Sequence, residues 1–477
     1  MKYLFLSCLF LGCFFSFTAK AQSNLSTLTG AWEGKLSVGT AALRLVLHLA
    51  PATGDSLTAT MDSPDQGATG IASDKAYATK DSVFVFWTPM MAAFKAQIKD
   101  TLLSGSWEQG GRAMPLSLSK TNKPTELNRP QTPKPPFPYQ SKDLLFKSKE
   151  SGLTYGGTLT TPAGKGPFPA VLLLTGSGPQ NRDEELFGHK PFAVLADFLT
   201  RRGYAVLRVD DRGVGQTTGN AAAASEKQLL QDATAAFEFL KQQPEVNVKK
   251  LGILAHSQGA MIAEIMGAQR NDIDFLILMA GPGVAGVEMM TAQNEMLLRS
   301  LGRSKEDAAH YGQLYRQVAH ALLQSKDSAE ASQKLQPIVA TWVKGTDAKV
   351  ATVTAGIHDS ASQQQYIATF AALANDTSML DIYRFDPVPY LKKIKAKVLA
   401  LNGSLDIQVV SAPNLAGIDM ALARGVTKGY EVKELPGLNH LFQKCSKCTI
   451  QEYGLLEETL NPALLEAIGT WLDAAAK

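Results

Sequence analysis

Cysteine is scarce, with four in a chain of 477 residues. Cys8 and Cys13 fall in the first apolar stretch, which leaves Cys445 and Cys448 for everything after it. So few exclude a disulfide-framed scaffold, and two cysteines without nearby histidines are too few for a structural zinc site. Surplus charge is equally scarce. Lys plus Arg number 47 against 44 Asp plus Glu, a balance of +3. Losing Lys2 and Lys20 with the first segment brings that to about +1. This removes any electrostatic case for a nucleic acid partner or an anionic membrane. Beyond the first segment no run is long and apolar enough to cross a bilayer, so stable membrane insertion is not expected there. No phosphate-cradling motif occurs. Gly213-Val-Gly215 is a fragment of a dinucleotide fingerprint and lacks the further glycine three residues on. No cofactor and no metal are expected.

What is present begins with Met1-Lys2-Tyr3, a short charged start, and an apolar run from Leu4 to Phe17. Ala19-Lys20-Ala21 then supplies small residues at the third and first positions before a cleavage point. The pattern predicts a secretory signal peptide over 1–21, cut before Gln22, and an exported protein, periplasmic or extracellular. A retained anchor fits less well because the run is short for a span. Lipidation at Cys13 also fits less well, since the apolar run continues through Phe14 and Phe15. In an oxidising compartment Cys445-Ser-Lys-Cys448 can close a small disulfide ring.

The length calls for two or three folded units. From about Leu28 to Lys120, short alternating runs such as Ala42–His48, Ser82–Trp87 and Leu102–Trp107 are separated by Gly, Asp, Asn or Pro. They predict a small antiparallel β-barrel or sandwich over 22–122, with Trp32 and Trp107 filling its core and His48 packed in a strand. Six prolines between Pro124 and Pro138 predict a semi-rigid linker over 123–140. From 141 to 477 the pattern changes. Uninterrupted apolar strands (170–174, 205–209, 251–254, 275–279 and 397–401) alternate with helical segments, which predicts an α/β fold with a mostly parallel sheet flanked by helices. The interval 284–390 is helix-compatible and too long for a loop, so it reads as a helical cap. Its His310, His320 and His358 lack metal-ligand spacing.

Chemistry concentrates at Ala255-His256-Ser257-Gln258-Gly259, where an apolar strand turns sharply into a run of small residues at helical spacing. Strand, tight turn carrying a serine, then helix is the layout of a nucleophile elbow, with Ala255 where glycine is usual. Chain order in that layout is Ser, then acid, then His. Of seven histidines, His48 and His189 precede the serine, His256 is its neighbour, and three lie in the cap. His440, in a loop just after the final strand expected over 430–435, remains as the base. Asp406 follows the end of strand 397–401 and can orient it; Glu434 and Asp419 are not on such a loop. Backbone N–H groups of Gln258 and of one residue among Gly176, Ser177 and Gly178 are the candidate oxyanion donors. Arg182, Asp183, Asp211 and Arg212 read as ion pairs fixing loops around the pocket.

The second half resembles the α/β-hydrolase superfamily, specifically secreted bacterial esterases of the EstD type and related serine-aminopeptidase-like hydrolases. The resemblance is carried by Gly176-Ser-Gly-Pro-Gln-Asn-Arg-Asp-Glu184, Asp210-Asp-Arg-Gly-Val-Gly215, His256–Gly259, Gly403-Ser-Leu-Asp406 and His440. The block Met61–Gly67 is similar to the β-rich domain preceding such esterases. It implies a secreted carboxylesterase acting on a small-molecule ester through Ser257, His440 and Asp406. The same site could serve an aminopeptidase or amidase. A catalytically inactive scaffold, whose β domain captures a ligand, belongs to a different class.

Overall fold

The computed structural model describes residues 25–38, 41–52, 56–66, 68–123, 128–220 and 224–475. The expected signal peptide over 1–21, including Cys13, lies outside the described residues. Two compact units emerge, Met1–Glu126 and Leu127–Lys477.

In the first unit a helical turn, α1 (Leu25–Leu28), precedes nine strands. These are β1 (Gly30–Val38), β2 (Ala41–Pro51), β3 (Ser56–Ser63), β4 (Ala68–Ala72), β5 (Lys75–Ala78), β6 (Ser82–Trp87), β7 (Ala92–Lys99), β8 (Leu102–Gln109) and β9 (Arg112–Thr121). The sheet order is β2-β1-β9-β8-β7-β6-β5-β3-β4, and a further β2–β3 pairing closes it into a barrel with β4 outside the ring. Closure joins the edges of the eight ring strands that an open sheet would leave unpaired. A ring of eight strands is just wide enough to be filled by side chains, and here alternating inward residues fill it: Trp32, Trp87, Phe94 and Trp107 are all buried. Trp107 lies against Trp87 with the rings tilted and their centroids 5.3 Å apart, whereas Trp32 donates to the Leu28 carbonyl at 2.8 Å. His48 departs from expectation. It sits on the outer face, half exposed, with Nε2 2.7 Å from Asp62 Oδ2. Strands β4 and β5 lack long alternating runs, which is why the sequence does not announce them.

The second unit starts before the first buried strand. Arg129 spreads its guanidinium over the carbonyls of Phe187, Gly454 and Leu456 at 2.7–2.8 Å, and Gln131 bonds the backbone of Thr459 and Leu460. From Asn128 onward, the proline-rich stretch expected to be a spacer is therefore strapped to this unit. Its strands are β10 (Gln140–Lys147), β11 (Thr154–Thr161), β12 (Phe168–Leu174), β13 (Ala205–Val209), β14 (Val246–His256), β15 (Phe275–Met279), β16 (Lys397–Gly403) and β17 (Tyr430–Leu435). They form one sheet in the order β10-β11-β13-β12-β14-β15-β16-β17. Pairings are antiparallel for β10–β11 and β11–β13, and parallel from β13 to β17. Helices α2 (Pro191–Arg201), α3 (Glu226–Lys241) and α4 (Gln258–Gln269) alternate with the strands. This is the α/β-hydrolase architecture that the resemblance implies.

Between β15 and β16 lie α5 (Gly286–Ser300), α6 (Lys305–Leu323), α7 (Ser328–Lys344), α8 (Ala348–Ala355), α9 (Ser360–Ala372), α10 (Thr377–Arg384) and α11 (Val388–Leu391). Ser304, Asp327, Asp347, Asp359 and Asp376 cap the N-termini of α6 to α10 with side-chain acceptors; such caps contribute about 1 kcal/mol each. These helices bury a core of their own around Tyr311, Tyr315, Trp342, Tyr366 and Tyr383. The chain closes with α12 (Ser411–Ala423), α13 (Ile450–Tyr453) and α14 (Pro462–Ala475). Phe237, Ile262, Ile265 and Ile418 cover one sheet face, and Leu195, Leu199, Leu464 and Ile468 the other.

Strand order reverses at β12, which pairs with β13 on one side and β14 on the other. Crevices outside the carboxyl ends of strands at such a reversal are where ligands bind in open α/β sheets. The loop after β12 and the turn after β14 meet there.

Candidate active site

Strand β14 ends at His256 and α4 begins at Gln258, so Ser257 alone makes the turn, at φ 52° and ψ −118°. A residue with a Cβ pays about 1–3 kcal/mol for a backbone so sparsely populated, and it persists only when neighbours hold it. Ser257 N–H donates to the Met279 carbonyl at 2.9 Å, and Ser257 O accepts from Ala260 N–H at 2.9 Å. Gly259 answers a steric demand: a Cβ there would stand 2.5 Å from the carbonyl oxygens of Leu174 and Thr175. Ala255 is fully buried, in register with Leu174 and Leu278 of the adjoining strands.

Three residues beyond β16, Asp406 Oδ2 lies 2.8 Å from His440 Nδ1. The other carboxylate oxygen accepts the N–H groups of Gln408 and Val409 at 2.8 and 2.9 Å. Asp406 and His440 are both buried. Since an ionised carboxylate only accepts, His440 donates from Nδ1 and leaves Nε2 as its basic nitrogen. Ser257 Oγ has no hydrogen bond among the described residues. Its neighbour His256 nevertheless brings the two loops together, with its ring centroid 4.8 Å from that of His440. Catalytic hydrogen bonds are often long in a ligand-free site and tighten when substrate binds.

The oxyanion candidates divide. Gly176 lies against the turn, where a Cβ on it would be 3.4 Å from Ser257 Cβ. Its N–H, however, donates to Glu184 Oε1 at 2.8 Å, so of the three candidates in this loop Gly176 has its donor already engaged. Ser177 and Gly178 remain from that loop, Gly178 at φ +86°, together with Gln258 at the start of α4. Asp211 ties the loop at both ends, accepting from Thr175 Oγ1 at 2.8 Å and from Gln180 N–H at 2.9 Å. From the sequence Asp211 is expected in an ion pair. Its partners are neutral donors instead. Burial, together with the charges of Glu184 and Asp232, pushes its carboxyl up to about 7.

The other charged residues of this region do pair. Arg182 grips Asp210 through Nε and Nη2 at 3.0 and 2.7 Å, Arg212 grips Asp232 at 2.7 and 2.8 Å, and Arg208 pairs with Asp183. Next to Gly176, Gly178 and Gln258 opens a cavity of about 280 Å³. Leu174, Val209, Leu229 and Ile262 give it apolar walls, and Asp376 and Ser378 of the cap reach its rim. Space on that scale, beside the oxyanion loop, suits a small organic group.

The remaining histidines lie elsewhere. His189 contacts Thr459 and Tyr453, and burial with the nearby Arg129 charge lowers it to about 4. His310 stacks on Trp342, and His358 is exposed on a cap turn. Cys445 and Cys448 are joined, with Cα atoms 5.0 Å apart, in the same segment that carries His440. Sequence reasoning missed Glu184. It appeared only as the last residue of a shared stretch, and nothing in its spacing reveals that it meets His256.

The family model described as serine aminopeptidase, S33, matches residues 190–400. Over 167 residues the chain is 34% identical to esterase EstD of Thermotoga maritima, covering 35% of this chain and 38% of that protein. Over 129 residues it is 31% identical to an uncharacterized protein of Mycobacterium tuberculosis, covering 27% of this chain and 42% of that one. The chain thus spans less than half the length of the curated relatives it matches. Among solved structures, an esterase of Pyrococcus furiosus aligns with 70% of this chain and 91% of its own at 14% identity and a TM-score of 0.41.

Proposed function

We propose that this chain, whose second unit is an α/β-hydrolase domain, is an exported serine hydrolase that cleaves carboxylic esters of small molecules. One observation carries the reading: Ser257 occupies a strained strand-to-helix turn in the unit where His440 Nδ1 is held by Asp406 at 2.8 Å. In the reaction Ser257 Oγ attacks the acyl carbonyl while His440 Nε2 takes its proton. Asp406 keeps His440 in the useful tautomer and stabilises the imidazolium that forms. The N–H of Gln258 and one from Ser177 or Gly178 face the developing oxyanion. His440 then returns the proton to the departing alcohol. Water, activated by the same histidine, releases the acid from the acyl-enzyme.

The similarity to esterase EstD favours the ester. The family description favours a second reading, cleavage of an aminoacyl amide through the same three residues. Purified protein assayed on short p-nitrophenyl acyl esters beside aminoacyl p-nitroanilides separates the two. Faster ester turnover, abolished in Ser257→Ala, is expected; faster anilide turnover would replace the esterase reading with the amide one. The inactive ligand-binding alternative has less support, because the barrel it would use is filled by Trp32, Trp87 and Trp107. Export rests on the pattern of residues 1–21 and fits the Cys445–Cys448 bond.

A further inference from the structure

His256, the residue before the proposed nucleophile, is bonded at both ring nitrogens. Nδ1 lies 2.9 Å from Glu184 Oε1, and Nε2 lies 3.0 Å from the main-chain oxygen of His440. Both side chains of the His256–Glu184 pair are 6% exposed, so water does not compete for these bonds. A carbonyl oxygen can only accept, which requires a hydrogen on Nε2. Glu184 Oε1 already accepts the Gly176 N–H at 2.8 Å. An ionised carboxylate also only accepts, which requires a second hydrogen on Nδ1. A neutral imidazole has one hydrogen and satisfies one of these demands.

We propose that His256 is a buried imidazolium, paired with the Glu184 carboxylate, that fastens the His440 loop to the Gly176–Gly178 loop and positions both halves of the site. The inference rests on the serine-hydrolase reading above for what is being positioned. The connection is continuous. Gly176 N–H and His256 Nδ1–H converge on Glu184 Oε1, and His256 Nε2–H reaches the backbone of the base. The loop expected to supply an oxyanion donor and the loop supplying the histidine are thereby held to one rigid ring on the strand that carries the nucleophile. His256 does not touch the reacting atoms; it acts through the two loops.

Three titratable groups face this ring: Glu184 from the loop after β12, Asp406 from the loop after β16, and His440 from the loop after β17. Burial by itself disfavours the charged ring, but the Glu184 charge and hydrogen bond, the His440 carbonyl and the Asp406 charge outweigh it and hold His256 above the ordinary imidazole range. With the folded value raised, the charge on the ring is complete below the ordinary imidazole value and is lost as pH rises through the raised one. Glu184→Gln keeps the size and an acceptor oxygen while removing the charge that sustains the imidazolium, so the loss then moves to lower pH.

The deciding experiment is nitrogen-detected NMR of the wild-type protein labelled with ¹⁵N-histidine, the His256 signals being assigned by their disappearance in His256→Gln. At about pH 7.5, above the ordinary imidazole value, both ring nitrogens of His256 are expected to carry a bonded proton. A single protonated nitrogen, with the other proton on Glu184 or absent, overturns the proposal. Kinetics of Glu184→Gln on p-nitrophenyl acetate supplies the functional arm. Its kcat is expected to fall roughly tenfold to a hundredfold with KM little changed, as for small misplacements of reacting groups, and the deficit should widen as pH rises. An unchanged kcat across that range overturns the positioning role. Absence of ester turnover in the wild type would instead count against the esterase reading, while the NMR result still decides the state of His256.

Discussion

His256 Nε2 donates to the main-chain oxygen of His440 at 3.0 Å, so the residue before the proposed nucleophile holds the backbone of the residue proposed to deprotonate it. Two loops far apart in sequence are registered by one ring, and Asp406 fixes the His440 side chain from the opposite side. The site is over-determined around Ser257, which is what a strained turn requires.

That strain has a measurable consequence. Ser257 sits at φ 52°, a region open to glycine at no steric cost. Ser257→Gly should abolish hydrolysis and raise stability by about 1 kcal/mol, within the range assigned to such backbone strain. Equilibrium urea unfolding of both proteins checks it; a destabilised glycine variant would mean that the turn is not strained.

Asp406→Asn should leave the fold intact and lower kcat by roughly 10³–10⁴-fold, because an amide can donate to His440 Nδ1 and favour the wrong tautomer. Circular dichroism and steady-state rates on one ester decide it. A loss below about tenfold would remove Asp406 from the orienting role.

Much of this site can be read in the sequence because its rules are local. A serine between an apolar strand and a small-residue helix, an aspartate just past a strand end and a histidine in the next loop each announce themselves by neighbours. The buried strands announce themselves in the same way through runs such as Phe275–Met279, all buried, whereas their order in the sheet does not. What is not legible depends on pairs distant in the chain. Glu184 meets His256 across 72 residues. Asp211 looks like part of a charged cluster, yet it bonds Thr175 and Gln180. The proline-rich stretch reads as a spacer because proline composition says nothing about Arg129, whose carbonyl partners are more than 300 residues away at Gly454 and Leu456. Gly176 belongs with these cases: its N–H is met by Glu184, eight residues on, a pairing that nothing in the local sequence announces.

Glu264, on α4, is fully buried, and neither carboxyl oxygen has a partner among the described residues. Burial holds it well above the usual carboxylate range. Because the folded value is raised, its contribution is complete below the unfolded value and is lost as pH rises. Glu264→Met should therefore stabilise the protein by roughly 1–3 kcal/mol at about pH 8, with a smaller gain at about pH 5. Thermal unfolding at the two pH values tests this; a destabilised variant would point to an ordered partner for Glu264.

The Cys445–Cys448 bond closes a ring of four residues, for which chain-entropy arguments give about 2 kcal/mol. The double variant Cys445→Ser/Cys448→Ser should lose about that much stability. Peptide mass mapping of the secreted wild type should find the two cysteines linked. Both found as free thiols would contradict the bond.

The central claim is that Ser257 is the activated nucleophile, and covalent labelling tests it most directly. Wild-type protein treated with a fluorophosphonate should gain a single adduct, mapped by peptide mass spectrometry to the segment containing Ser257, and Ser257→Ala should gain none. An unlabelled wild type, or an adduct that persists in Ser257→Ala, would contradict the account.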